Sequence, residues 1–237
     1  MENLYTNGRY LKTTGTWHAE DAPWKASQII VMLRKHNLQP EIVAEIGCGT
    51  GGILDELSRK PELRDTHFIG YDISPQAIEI ANKRNNPRVT FRCEDLLAKP
   101  TISRFDLLLA IDVMEHIPDY LGFLRQCQAR ADYALYHIPL DIHVSSVFRN
   151  TLVNNRLTLG HLHYFTADFA LAVLRDTGHE IMDSVYTRGA LDLFRKHPSL
   201  KTFLANIPRR ILAQLSIPFT ARMLGGYSLL VLTRQAS

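Results

Sequence analysis

The feature that most constrains this chain is a regular alternation of short apolar runs with helix-like stretches. The first run ends in the glycine-rich segment GCGTGG at 47–52. Short apolar runs bounded by turn residues read as strands, and longer stretches with apolar residues three and four apart read as helices. The pattern predicts strands at 42–46, 67–71, 88–92, 105–111 and 133–138, with late strands at 180–186 and 227–233. Helices are predicted at 22–36, 53–59, 75–84, 119–130 and 166–177. Ser74 and Thr166 are placed to cap two of them, and Gly178 to stop the last. Such alternation predicts a doubly wound α/β sheet, mostly parallel and flanked by helices. Ligands of such sheets bind beyond the carboxyl ends of the strands. Gly47 to Gly52, Asp72, Asp95 and Asp112 to His116 all follow a predicted strand.

With 237 residues, one large domain is expected. Its parts would be an N-terminal arm and helix (1–40), a ligand-binding core (41–187), a basic helical insertion (188–225) and a last strand (226–237). Hydrophobic residues make up 46% and charged residues 22%, which excludes a largely disordered chain. No apolar run approaches the roughly 20 residues of a membrane span, and the N-terminus lacks the apolar core of a secretory signal. Three widely spaced cysteines, Cys48, Cys93 and Cys127, fit a reduced cytoplasmic protein and neither a disulfide framework nor a Cys-rich metal site. A net charge of +3 is too weak by itself to imply nucleic acid, and none is expected as a partner.

The glycine loop identifies a nucleotide-like ligand without choosing it. Gly47, Gly49 and Gly52 satisfy the dinucleotide pattern, and Asp72 stands where a carboxylate accepts ribose hydroxyls. NAD and S-adenosylmethionine both meet those terms. Glu45 weighs against a pyrophosphate, which it would repel, and suits a ligand with a cationic amino-acid end. Asp95, past the third strand, is placed to accept from an adenine amino group.

Taken together, E-x-G-C-G-T-G, Y-D-I-S, E-D-L and D-V-M-E-H-I resemble the class I S-adenosylmethionine-dependent methyltransferases, in particular their small-molecule branch. The resemblance covers roughly 26–186 plus the last strand. It implies a Rossmann-like, seven-stranded sheet with a helical insertion before the last strand. It also implies S-adenosylmethionine as cofactor. Glu45, Gly47, Cys48, Gly49 and Gly51 would surround the methionine portion. Asp72 would hold the ribose diol, with Ile73 against the adenine. Asp95 would hold the adenine amino group beside Leu96. Asp112 and Val113 would line the cofactor near the sulfonium.

Methyl transfer from a sulfonium needs alignment, and a base when the nucleophile is a hydroxyl. Three histidines are candidates: His116 after the fourth strand, and His161 and His163, which in an extended segment would point the same way. No metal site is expected. Aromatic residues of the arm, Tyr10, Trp17 and Trp24, are placed to shield the sulfonium. D-V-M-E in place of an N-P-P-Y turn disfavours amide or adenine nitrogen as acceptor, and no Pro-Cys dipeptide supports attack on cytosine. The expected partner is therefore a small-molecule or glycan-type acceptor, methylated at a hydroxyl. An NAD-dependent oxidoreductase, an RNA-directed methyltransferase and a non-catalytic adenosyl-ligand-binding module are the alternatives. Segment 188–222 interleaves leucines and phenylalanines with basic residues against one acid, Asp192, and Pro198, Pro208 and Pro218 are expected to cut it into short helices. It reads as a helical cap or a peripheral contact with an anionic membrane or lipid-linked acceptor.

Overall fold

A computed structural model describes residues 19–98, 104–193 and 200–235. Helix α1 (Ala22–Lys35) precedes strand β1 (Ile42–Ile46), and α2 (Gly52–Ser58) leads to β2 (His67–Asp72). Helix α3 (Pro75–Asn82) connects to β3 (Val89–Cys93), followed by β4 (Phe105–Ile111), α4 (Tyr120–Arg130) and β5 (Ala131–Pro139). Two short helices, α5 (Val144–Phe148) and α6 (Thr151–Thr158), lead to α7 (Ala167–Asp176) and β6 (His179–Thr187). Helices α8 (Gly189–Asp192), α9 (Leu200–Leu215) and α10 (Ile217–Leu224) precede β7 (Ser228–Gln235).

The strands form one sheet in the order β3-β2-β1-β4-β5-β7-β6. The first five run parallel, and β7 enters antiparallel between β5 and β6. Successive side chains alternate faces. Leu107, Leu109 and Ile111 pack with Ile29, Leu33, Leu54 and Leu57 beneath α1 and α2. Leu108 and Ala110 pack with Phe123, Leu124, Val173 and Leu174 beneath α4 and α7. Burial on both faces explains why β4 is an unbroken apolar run from Leu107 to Ile111 rather than an alternating one.

The expected caps are present: Ser74 accepts from the Ala77 N–H and Thr166 from the Phe169 N–H. Gly178 takes the left-handed conformation (φ 89°) that ends α7. Two expectations fail. Pro208 does not cut the insertion but lies inside the continuous helix α9, and the stop comes at Ser216, whose hydroxyl caps α10 with Pro218 in its first turn. A proline removes one hydrogen bond from a helix without necessarily ending it. Helices α5 and α6 were not anticipated, because α6 buries no residue and so carries no core-facing stripe. Pro198, Tyr10 and Trp17 lie outside the described residues.

Candidate active site

A cavity of about 1400 Å³ opens beyond the carboxyl ends of β1, β2, β4 and β5. The β1 loop is built for close approach. Gly47, Gly49 and Gly51 have positive φ, and a Cβ on Gly47 would stand 2.6 Å from the Val113 side chain. The N–H groups of Gly47 and Cys48 donate to the Tyr71 carbonyl, which ties the loop to β2. Asp72 ends β2 buried. Its Oδ2 accepts from the Gly49 N–H and its Oδ1 from the Ser74 N–H, each at 2.8 Å. Burial raises its carboxyl above the usual range against the help of those bonds.

Glu45 is fully buried, with one carboxyl oxygen unpartnered among the described residues. Burial pushes it up to about 8, with Asp72 adding to that and Lys25 opposing it. Asp112 sits directly after β4 in the left-handed conformation (φ 54°). That strained backbone is held by its N–H donating to the His137 carbonyl. Its carboxylate pairs with Lys25 of α1 at 2.6 Å and with His137 Nδ1 at 2.5 Å. Lys25 and His137 together outweigh burial and hold Asp112 well below the usual carboxylate range. His137 is fixed on its other side by the Thr187 hydroxyl, and its ring meets Trp24 edge to face.

A second group lies past Asp112. Glu115 is buried with both carboxyl oxygens unpartnered among the described residues. Burial, then the nearby Asp112, raises it well above the ordinary value. His116 Nδ1 lies 3.2 Å from the Gly160 carbonyl, and its ring meets His161 edge to face at 5.0 Å. Burial, then His161, lowers His116 to about 4. Glu115 and His116 approach to 3.8 Å. Burial raises the Glu115 carboxyl and lowers the His116 ring, so both shifts work against an ion pair at this contact. His161 Nδ1 lies 2.6 Å from Asp141 Oδ2, just past β5. A carboxylate only accepts, so Nδ1 carries the hydrogen.

Of the residues expected from the sequence, Glu45, Gly47, Cys48, Gly49, Asp72 and Ile73 line the cavity. So do Asp95, Leu96, Asp112, Val113, His116 and His161. Asp95 is exposed at the rim, its Oδ1 accepting from the Leu97 N–H. Gly51 and His163 do not line it. Gly51 serves α2, where a Cβ would strike Phe91. His163 does not share a direction with His161: its ring meets Tyr120 at a tilt of 57° and its Nε2 reaches the Pro118 carbonyl. Both backbone N–H groups at 162 and 163 are pinned to the Glu115 carbonyl, which turns the segment away from the flat extended form assumed for it. Lys25, Glu115 and Asp141 went unassigned. Asp141 had the same signal as the others, an acid just after a strand. Glu115, His116 and His161 each bring a ligand atom within 4.8 Å of the others, a geometry that suits a cation but is common without one.

The residues present fit S-adenosylmethionine. The cavity is acidic, so a sulfonium and an ammonium complement it where a pyrophosphate would not, and Glu45 carries an unsatisfied buried oxygen. A doubly wound sheet with this loop and this ring of carboxylates defines the class I S-adenosylmethionine-dependent methyltransferases. The chain belongs to the methyltransferase domain family, whose model matches residues 18–184. It is 26% identical over 137 residues to a ubiquinone biosynthesis O-methyltransferase of Actinobacillus pleuropneumoniae, covering 51% of this chain and 57% of that relative. A ubiquinone biosynthesis O-methyltransferase of Bradyrhizobium diazoefficiens is 33% identical over 90 residues, 37% of this chain and 34% of its own length. The chain thus spans little more than half of the first relative and about a third of the second. Among solved structures, magnesium protoporphyrin IX methyltransferase of Synechocystis with bound SAH superposes with a TM-score of 0.58 at 15% identity, over 95% of this chain and 86% of that one. A phosphoethanolamine N-methyltransferase of Haemonchus contortus reaches 0.65 at 16% identity, over 97% of this chain and 59% of that one. At such identities the superpositions establish the fold.

Proposed function

We propose that the chain moves a methyl group from S-adenosylmethionine to a hydroxyl of a small-molecule acceptor, with His161 as the base. The observation that carries this is the Asp141–His161 pair facing the cavity. Its carboxylate fixes the ring so that Nε2 is the atom that takes a proton, and compensates the charge that forms there. Burial holds His116 near 4, too low for a base at neutral pH; beside His161 it serves to position the ring and the acceptor. The relatives named as O-methyltransferases support oxygen as the acceptor atom.

Asp72 and Asp95 would hold the adenosine, with Ile73 and Leu96 against the base. Glu45, with Gly47, Cys48 and Gly49, would take the methionine portion. Asp112 and Val113 would flank the reacting end. When bound, the cofactor supplies a methyl group on a sulfonium that leaves as a neutral thioether. The chain's own residues then align the nucleophile, exclude water with Trp24 and α1, and receive one proton at His161.

The test has two arms. S-adenosylhomocysteine titrated calorimetrically should bind the native protein, and binding should be lost in Asp72→Ala. Turnover with a panel of hydroxyl-bearing small molecules should fall about 10²–10⁴-fold in His161→Gln. Asp141→Asn should fall too, while adenosyl-ligand affinity is kept in both. Full turnover in His161→Gln would overturn the base assignment.

A further inference from the structure

The structure points to a use for α9, which the methyl-transfer reading leaves unassigned. Asn206 and Arg209 face the body of the protein: Asn206 donates to the Ala190 carbonyl, and Arg209 to the carbonyls of Leu224 and Gly225. At 100° per residue the opposite side of the helix carries Leu200, Leu204, Ile207, Ile211 and Leu215. All five are exposed, Leu200 at 76% and Leu215 at 82%. An amphipathic helix normally turns its apolar stripe inward. Here the stripe points away from the core along the whole element.

The same character continues onto the neighbouring helices. Phe219 of α10 is exposed, and α10 meets α5 where the Ser145 hydroxyl reaches the Leu224 carbonyl. Helices α5 and α6 expose Val147, Phe148, Val153 and Leu157. Charge selects the occupant. No Asp or Glu lies between Asp141 and Asp168, nor anywhere after Asp192, whereas Arg149, Arg156 and Arg210 lie in those stretches, as does Arg222, which is paired with Asp168. We propose that α9, α10, α5 and α6 form a docking face for an anionic phospholipid bilayer, in which the α9 stripe lies in the interface plane. A second copy of this chain would set cations against cations. A nucleic acid would have no use for a leucine and isoleucine stripe. The helix of 16 residues is too short to span a bilayer, and no helix among the described residues is long and apolar enough to do so. Arg156 and Leu157 of α6 also line the active-site cavity, so the docked face would bring its mouth to the lipid.

The test is co-sedimentation of the full chain with vesicles of phosphatidylcholine, alone or mixed with phosphatidylglycerol. The protein should partition to the mixed vesicles, less so at high salt, and stay free of the neutral ones. Leu204→Asp with Ile211→Asp should weaken binding by about tenfold or more. These residues lie outside the cavity, so S-adenosylhomocysteine titration of the same variant should match the native protein and reports that it is folded. Loss of adenosyl-ligand binding in the native protein would sink the methyl-transfer reading and leave the docking face standing. The docking proposal is overturned if the native chain ignores the anionic vesicles or if the double variant binds them unchanged. It is equally overturned if the chain is a stable dimer that Ile211→Asp splits, or if it binds RNA but not vesicles.

Discussion

Glu45 is the residue whose burial has the widest effect. Its carboxyl titrates near 8 in the folded chain and near 4.5 when unfolded, so between those values the folded state holds the extra proton. Stability from this group is therefore present at low pH and lost as pH rises from about 4.5 through 8. Glu45→Gln should flatten that loss, raising the melting temperature of the ligand-free protein at pH 8 while weakening S-adenosylhomocysteine binding. A melting series across pH with both proteins reads the first effect and calorimetry the second. Binding a ligand ammonium beside Glu45 should also expel its proton, so the binding enthalpy at pH 7 should differ between buffers of different ionisation enthalpy. Equal enthalpies would remove the proposed contact. At this scale the acids were legible from their place at the strand ends: Glu45 near the end of β1, Asp72 ending β2, and Asp95 and Asp112 past β3 and β4 all reach the cavity. The histidines were legible only in part. His161 and His163 are separated by backbone bonds to the Glu115 carbonyl, a tertiary contact that residue spacing does not encode.

Local chemistry sets the elements that carry the site. Ser74→Ala removes the oxygen that accepts from the Ala77 N–H and should cost about 1 kcal/mol in urea unfolding. Pro208→Ala should do the opposite. It restores a hydrogen bond inside an exposed stretch of α9 and should stabilise by about 1–3 kcal/mol. A loss of stability there would mean that a bend at Pro208 matters to how α9 lies on the body. Strand β4 was readable to the residue because both of its faces are buried and every residue past Asp106 is apolar. Strand β5 proved longer than read: Ala131 pairs with Phe105 of β4 and Pro139 with Ser228 of β7, and composition does not signal either pairing. Helices α5 and α6 escaped notice for the converse reason: little of their surface is buried.

At the scale of the whole molecule, two buried histidines oppose Glu45. His116 and His179 are both pushed down by burial to about 4, below the ordinary 6.5. The unfolded chain therefore binds more protons in that window. Their contribution is present above about 6.5 and lost as pH falls through 4. Between about pH 4.5 and 6.5 the two histidines outweigh Glu45, so the ligand-free protein should gain stability up to a maximum near pH 6.5 and lose it from there through 8. Melting temperatures that climb steadily from pH 6.5 to 9 would contradict this balance. The sheet order was also partly legible, in that five parallel strands and two late ones were expected, while the insertion of β7 between β5 and β6 was not. That placement has a consequence for synthesis. Among the described strands β6 pairs only with β7, so it leaves the ribosome well before the segment that holds it in the sheet. Until then β5 presents an open edge to its surroundings or to a chaperone, and a premature stop ahead of Ser228 would cost the fold two strands rather than one.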